Sequence, residues 1–338
     1  MSAARRVVAA LIFCLLAPAA AGSAQATRRE TPDLFPVRQN NKWGYIDRTG
    51  KLVVPAQFDV AWDFSEGLAY VKTGDARAVI DRAGKVVFQL QQVDIAGHFT
   101  EGLAPVQTAS QPPRFGFVDR GGKLVINTEY DAVRNFEEGL ALVMVGRLYG
   151  FIDKRGRVAI KPQFEKAASF SEGLALVVVE NKIGFIDKSG KFVIKPQYNN
   201  GYNFSEGLAN VAVGGGYGCV DKRGALVIPA RAGYVGSFAE GLAPVIVSNK
   251  FGFIDRTGRR VIDPHLDWAA GFSEGLARVK VGGKGGAKYG YIDRTGRLVI
   301  PAQFDNAADF AGGLARVHVG GKQGYIDRAG NYVWQPSK

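Results

Sequence analysis

The chain has 338 residues, 46 % of them hydrophobic, and its 43 Lys and Arg outnumber 31 Asp and Glu for a formal net charge of +12. Of its two cysteines, Cys14 lies in an N-terminal apolar run, so only Cys219 belongs to the body of the chain, which excludes a disulfide framework there and leaves stability to the core. Beyond that first run no segment is apolar enough to span a bilayer as a helix, which excludes a multi-span helical membrane protein.

Residues 1–26 read as an export signal. Arg5 and Arg6 form a basic start, Val7 to Ala17 an apolar run of 11 residues too short to span a bilayer, and Ala24-Gln25-Ala26 a small-x-small cleavage site. The mature chain is expected to begin at Thr27 and to be periplasmic or secreted. Removing Arg5 and Arg6 lowers the net charge from +12 to +10.

From Thr27 to Lys338 a single repeat domain of nine units follows. An Asp-x-x-Gly motif recurs with its Asp at 47, 81, 119, 153, 187, 221, 255, 293 and 327, at spacings of 34 or 38 residues. A period of this size marks units that cannot bury a hydrophobic face alone and therefore stack on their neighbours. Leu276 to Val281, Tyr289 to Asp293 and Arg297 to Pro301 show the unit well. The first run alternates, with Ala277, Val279 and Val281 on one face and Arg278 and Lys280 on the other, the pattern of a half-buried strand. β-branched and aromatic residues fill the other two runs, and no period of 3.6 appears. Asp-x-x-Gly joins the second and third strands as a tight turn: the carboxylate accepts backbone N–H bonds and Gly supplies a positive φ. The nine aspartates therefore read as turn formers.

A long connection leads to each next unit and carries Phe-x-Glu-Gly-Leu-Ala. Its Phe stands at 64, 99, 136, 170, 204, 238, 272 and 310, as expected of a plug sealing one unit against the next. Gly precedes the aromatic position of the second strand in eight of nine units, from Gly44 to Gly324, and only Ala78 departs. Such a Gly marks close approach of another backbone or ring. Cys219 occupies the aromatic position itself and reads as a buried, inert thiol.

Lys42-Trp43-Gly44-Tyr45-Ile46-Asp47, the recurring Val-Ile-Pro and Phe-Ser-Glu-Gly-Leu-Ala together resemble the bacterial WG-repeat family from Leu34 to about Pro336. Trp fills the Trp position once only, and the second unit, Ala78 to Val93, is the most degraded. The resemblance implies a β-rich exported repeat protein and supplies no catalytic residue. Leu34-Phe35-Pro36-Val37 aligns with Leu242-Ala243-Pro244-Val245, and the chain ends in a complete third strand. Nine whole units with no split unit favour an all-β tandem repeat of three-stranded antiparallel units in an open curved solenoid or superhelix; a closed β-propeller is the alternative.

Two surfaces are candidates for binding. The residue after each turn Asp is basic (Arg48, Arg82, Arg120, Lys154, Lys188, Lys222, Arg256, Arg294 and Arg328), and stacking would align these tips into a ridge separate from an acidic row, Glu66 to Glu274. A ridge of this kind suits an acidic glycan or other anionic polymer; evenly placed charge also serves solubility. In the fourth and fifth units the outward positions of the first strand become Leu142, Met144, Leu176 and Val178, a candidate apolar patch for a partner protein. No spaced metal-ligand set, phosphate loop, nucleophile elbow or cofactor motif occurs. The expected function is a non-enzymatic exported scaffold that mediates macromolecular, chiefly protein, interaction in the cell envelope. The rival is an anionic-polymer binding module, a remote third is an envelope hydrolase, and nucleic acid is an improbable partner for an exported chain.

Overall fold

Every repeat folds as one antiparallel sheet. The computed structural model describes residues 33–231, 233–282 and 286–337, and its strands form nine such sheets. The proposed export signal lies outside the described residues. Unit 5 shows the plan: a short inner strand Lys166–Ala167, a first strand Ala175–Val179, a second strand Lys182–Ile186 and an outer strand Phe192–Tyr198, paired in chain order. Six sheets have four strands; those of units 1, 6 and 7 have three among the described residues. The expected three-stranded unit thus gains an inner strand. In Lys166–Ala167 or Asn306–Ala307 it is two residues long, too short to alternate, and pairing with the first strand defines it.

Local chemistry sets each turn. All nine Asp carboxylates accept the amides two and four residues on, as in Thr49 N at 2.8 Å and Lys51 N at 3.1 Å from Asp47. Gly50, at φ +86°, closes the turn on Asp47 O. The same glycine has a second duty. A Cβ there would press on the neighbouring unit's outer strand, at 2.9 Å from the Val54 side chain for Gly84 and 2.4 Å from Val333 O for Gly50. The turn is therefore a joint as well as a hairpin.

Sheets stack face to face, so both faces of a first strand are buried. Between units 5 and 6, Leu176, Val178, Phe185, Ile194 and Tyr198 meet Ala209, Val211 and Val220, with Phe204 between them. Seven of the eight connection Phe rings are buried as expected, Phe170, Phe204, Phe238 and Phe310 each keeping 1 % exposure, and Phe64 is half-buried. Six of them lie against the second-strand aromatic of the preceding unit, with centroids 4.7–5.0 Å apart, from Tyr45–Phe64 to Tyr291–Phe310. Alanine in the first strand (Ala209, Ala315) leaves room for the ring.

A ninth cluster joins the ends. Phe35, Val37 and Ile46 of unit 1 pack on Leu314, Tyr325, Val333 and Trp334 of unit 9. Gln323 Nε2 and Tyr325 Oη both donate to Pro36 O, at 2.9 and 3.0 Å. The nine sheets therefore close into a ring, a nine-bladed β-propeller, and the expected open solenoid is corrected. That expectation rested on the lack of a split unit. Closure needs none, because this seam is side-chain packing between two complete sheets.

Candidate functional site

The recurrent polar residues gather at the two ends of the strands. At the Asp-x-x-Gly end lies the Glu-Gly pair carried by seven of the eight connections. Ser65 and Leu68 exchange backbone hydrogen bonds at 2.9 and 3.0 Å around Glu66 (φ +51°) and Gly67 (φ +75°), a two-residue type I′ hairpin. A left-handed Glu is strained by about 1–2 kcal/mol, and its side chain has a use that offsets this. The Glu66 carboxylate accepts Glu101 N at 2.6 Å and Gly102 N at 2.9 Å, in the corresponding turn of the next unit. Glu101, Glu138, Glu172, Glu206, Glu240 and Glu274 repeat the tie, ending on Gly312 and Gly313 of unit 9. Hydroxyls add a parallel row, such as Ser205 Oγ donating to Phe238 O at 2.6 Å.

The basic tips reach these same carboxylates. Arg120 lies 3.5 Å from Glu66, Lys154 2.9 Å from Glu101, Lys188 3.2 Å from Glu138, Lys222 3.3 Å from Glu172 and Arg294 3.7 Å from Glu240. Arg82 pairs with Asp33 at 3.0 Å. Arg256 and Arg328 approach the same turns, since a Cβ on Gly207 or Gly275 would meet their Nη2 atoms at 3.3 and 3.1 Å. All nine tips, Arg48 included, are exposed. The ridge is real as a row of cations, but it interlocks with the acidic row from which the sequence reading separated it. The spacing of the repeat revealed both rows; that each Glu reaches forward one unit follows from stacking and was not legible.

At the other end of the strands a second set of acids does similar work. Asp59 receives Lys42 Nζ at 2.5 Å from unit 1 and Gly74 N at 2.8 Å from unit 2. Asp131 joins Arg114 to Gly146 N, and Asp267 joins Lys250 to Gly282 N. These carboxylates were missed in sequence because they vary among Asp, Glu165 and Asn199.

The candidate apolar patch is corrected. Leu142 and Leu176 keep 3 % exposure, Val178 keeps 8 %, and Met144 is half-buried. They fall in two separate interfaces, Leu142 between units 4 and 5 and Leu176 and Val178 between units 5 and 6. The reading of one outward face assumed a sheet covered on one side, whereas a blade is covered on both. Exposed aliphatic side chains lie mostly on the outer strands instead: Val53, Val158, Val193, Leu226, Val261 and Leu298 are 38–56 % exposed.

Potentially reactive groups are buried or dispersed. Cys219 is fully buried, its thiol donates to Asn210 Oδ1 at 3.3 Å, and burial pushes its pKa up to about 12. His98 sits against Trp62, His265 Nδ1 lies 2.7 Å from Asp263 O, and His318 is on the first strand of unit 9, its pKa pushed down chiefly by burial. Among the described residues no group of three or more His, Cys, Asp or Glu is placed to hold a metal, and no helix is long and apolar enough to cross a membrane. A cavity of about 200 Å³ between units 7 and 8 is lined by His265, Leu266, Asp267, Val281, Ile292, Gly296 and Leu298. Leu266 and Leu298 stand where the joint of units 4 and 5 sets Phe164 against Phe192, so the space reflects two smaller side chains in a packing layer.

The repeat described as WG containing repeat matches residues 43–75, 79–109, 115–149, 149–182, 183–217, 217–251, 251–284 and 289–322. The chain belongs to the WG-repeat family. No curated protein matches it. Among solved structures, one described as a eukaryotic initiation factor is 11 % identical at a TM-score of 0.61, over 89 % of this chain and 95 % of that one. At this identity the likeness shows the fold alone. Hsv2p of Kluyveromyces lactis (12 % identity, TM-score 0.40, 75 % of this chain and 89 % of that one) is a more distant likeness. So is PorZ, a surface component of the type-IX secretion system of Porphyromonas gingivalis (11 %, TM-score 0.34, 90 % and 46 %).

Proposed function

We propose that this WG-repeat protein is a non-enzymatic scaffold, exported to the cell envelope, that holds a macromolecular partner on its ring. One observation carries the reading: the polar residues that recur with the repeat are structural ties. The turn aspartates hold their own hairpins, and the glutamates hold the next unit's amides and cations. What the ring offers a partner is its outer rim, where side chains such as Val158, Val193 and Val261 stand exposed on units 4, 5 and 7. An aliphatic band of this kind suits a protein partner.

A second reading, an anionic polymer on the turn-tip end, draws on the net charge of +12 and on tips that stay about half exposed while paired, such as Lys154 at 45 %. Affinity capture from envelope extract separates the two. Capture that resists moderate salt and is lost when Val158, Val193 and Val261 are replaced by Lys supports the rim. Capture abolished by moderate salt and by Lys154, Lys188 and Lys222→Gln supports the polymer. A chain found in the cytoplasm with residues 1–26 attached would overturn the envelope assignment.

A further inference from the structure

Unit 2 departs from the others in one linked set of residues. Eight units carry Gly at the place where unit 2 carries Ala78. The eight glycines are needed because the outer strand bulges over them: a Cβ at Gly44, Gly150 or Gly252 would lie 2.5 Å from the carbonyl oxygen of Val54, Ile160 or Ile262. Under Ala78 that bulge is gone. Arg77, Ala78 and Val79 pair in unbroken register with Leu90, Gln89 and Phe88, and the outer strand Val86–Leu90 has five residues against seven in Leu52–Phe58 or Val158–Phe164.

The shortened strand also lacks the proline that seven units carry at one or other of two adjacent positions, as in Pro55, Pro162 and Pro301. Proline offers no N–H to an incoming strand, and a bulge twists the edge out of line; both protect sheet edges from pairing with other chains. Unit 3 has Asn127 and Thr128 in place of the proline but keeps its bulges. Unit 2 alone among the described units lacks both the proline and the bulge over the glycine position; it keeps only the register shift at Val87. Among the described residues no strand pairs with the outer side of Val86–Leu90. The edge is also apolar, with Val86 46 % and Val87 43 % exposed.

We propose that Val86–Leu90 pairs edge to edge with the same strand of a second copy of this chain, antiparallel, joining two rings in a two-fold symmetric dimer. Charge selects this occupant and its direction. From Lys85 to Gln92 the only charged residue is Lys85. Antiparallel pairing about Phe88 sets Lys85 opposite Gln91 of the second copy and keeps the two ammonium groups roughly 20 Å apart, at about 3.3 Å per residue. A parallel partner would set Lys85 beside Lys85, which is unfavourable. One strand edge buries little area, so the dimer is weak and depends on concentration.

Sedimentation equilibrium of the whole chain, from low micromolar to several hundred micromolar, tests this. The expected result is a mass rising from one chain to two, with amides of Val86–Leu90 exchanging more slowly at high concentration. Val87→Lys is expected to weaken the dimer at least tenfold. Val227→Lys, at the corresponding position of unit 6 and 45 % exposed in the native chain, leaves it unchanged. Gln89→Pro restores the residue type of the guarded units and serves as a second disrupting variant, with thermal unfolding to verify that each variant is folded. A single-chain mass at every concentration overturns the proposal, as does a dimer that survives both Val87→Lys and Gln89→Pro. A monomer that instead binds an extended segment of another protein at this strand overturns it too.

Discussion

The joint between units 8 and 9 and the seam between units 9 and 1 solve the same packing problem with different residues. At the joint, Phe310 comes in from the connection, lies 4.9 Å from Tyr291, and has room because the first strand carries Ala315. At the seam the first strand carries Phe35 in the place of that alanine, and its ring lies 5.5 Å from Tyr325. The aromatic plug has moved from the connection into the strand. The polar ties change as well. Glu274 hands its carboxylate to Gly312 and Gly313, but unit 9 has Gly312 where a Glu would stand, so the chain of ties stops there. Side chains replace it, with Gln323 and Tyr325 both donating to Pro36 O. In units 2 and 9 the corresponding carbonyl, of Tyr70 or Arg316, accepts an inner-strand amide. Closing a repeat ring therefore requires equal burial at the last joint, and the identity of the residues that supply it is free.

The largest expected effect removes the plug at either kind of joint. Phe204→Ala and Phe35→Ala should each destabilise by about 3–5 kcal/mol in urea unfolding, as other buried Phe truncations do. They should differ in where they loosen the ring. Hydrogen exchange should rise in units 5 and 6 for Phe204→Ala and in units 1 and 9 for Phe35→Ala. Equal exchange patterns in the two variants would erase the distinction between joint and seam.

Next come the ties that only the joints possess. Glu172→Gln keeps the shape but removes the charge that Gly207 N and Lys222 share, at 2.8 and 3.3 Å. A loss of about 1.5–3 kcal/mol is expected, the scale of a hydrogen bond to a charged group. Lys154, Lys188 and Lys222→Gln together should cost less per residue, under about 1 kcal/mol each, because these ion pairs are solvent-exposed on the lysine side. A larger loss for the lysines than for the glutamate would mean that the cations, and not the amides, hold the glutamate row.

The smallest effect is graded by pH. Hydroxyl hydrogen bonds from Thr49, Ser189, Thr257 and Thr295 are the main cause holding Asp47, Asp187, Asp255 and Asp293 below the usual carboxylate value of 3.8, with Asp255 at about 2; Arg157 does the same for Asp153. Because the folded values lie below the unfolded ones, the stabilisation is present in full above about pH 4 and is lost as pH falls toward 2. Acid titration of the thermal midpoint should show this decline. Thr257→Val should make the decline smaller and end it at a higher pH, since it removes the largest cause at Asp255.

Much of this was legible in the sequence, and the physical reason separates what was from what was not. Turn and plug positions recur with the period, so Asp47, Gly50 and Phe204 announced their roles. The Gly-to-Ala78 exception was visible, and its consequence, a missing bulge, needed the backbone of the facing strand. Properties that depend on a neighbouring blade were hidden. Leu142 and Leu176 look outward on an isolated sheet and are buried in a stack. Lys154 looks free along the sequence and meets Glu101 of the preceding unit. Phe35 did carry a signal for closure, as a large ring in a small-residue position, but its meaning appears only once unit 9 lies against it.

The closed ring rests most directly on one distance. Spin labels at Ala329 and Thr49, which occupy equivalent places in the exposed turns of units 9 and 1, can be compared with labels at Ser189 and Arg223 in the adjacent units 5 and 6; Cys219, fully buried and with its thiol pushed up to about 12, should resist labelling. A closed ring requires the two pairs to give the same narrow distance, because each spans one joint. A distance between positions 329 and 49 several times longer, or one spread over a broad range, would contradict it and return the chain to an open stack.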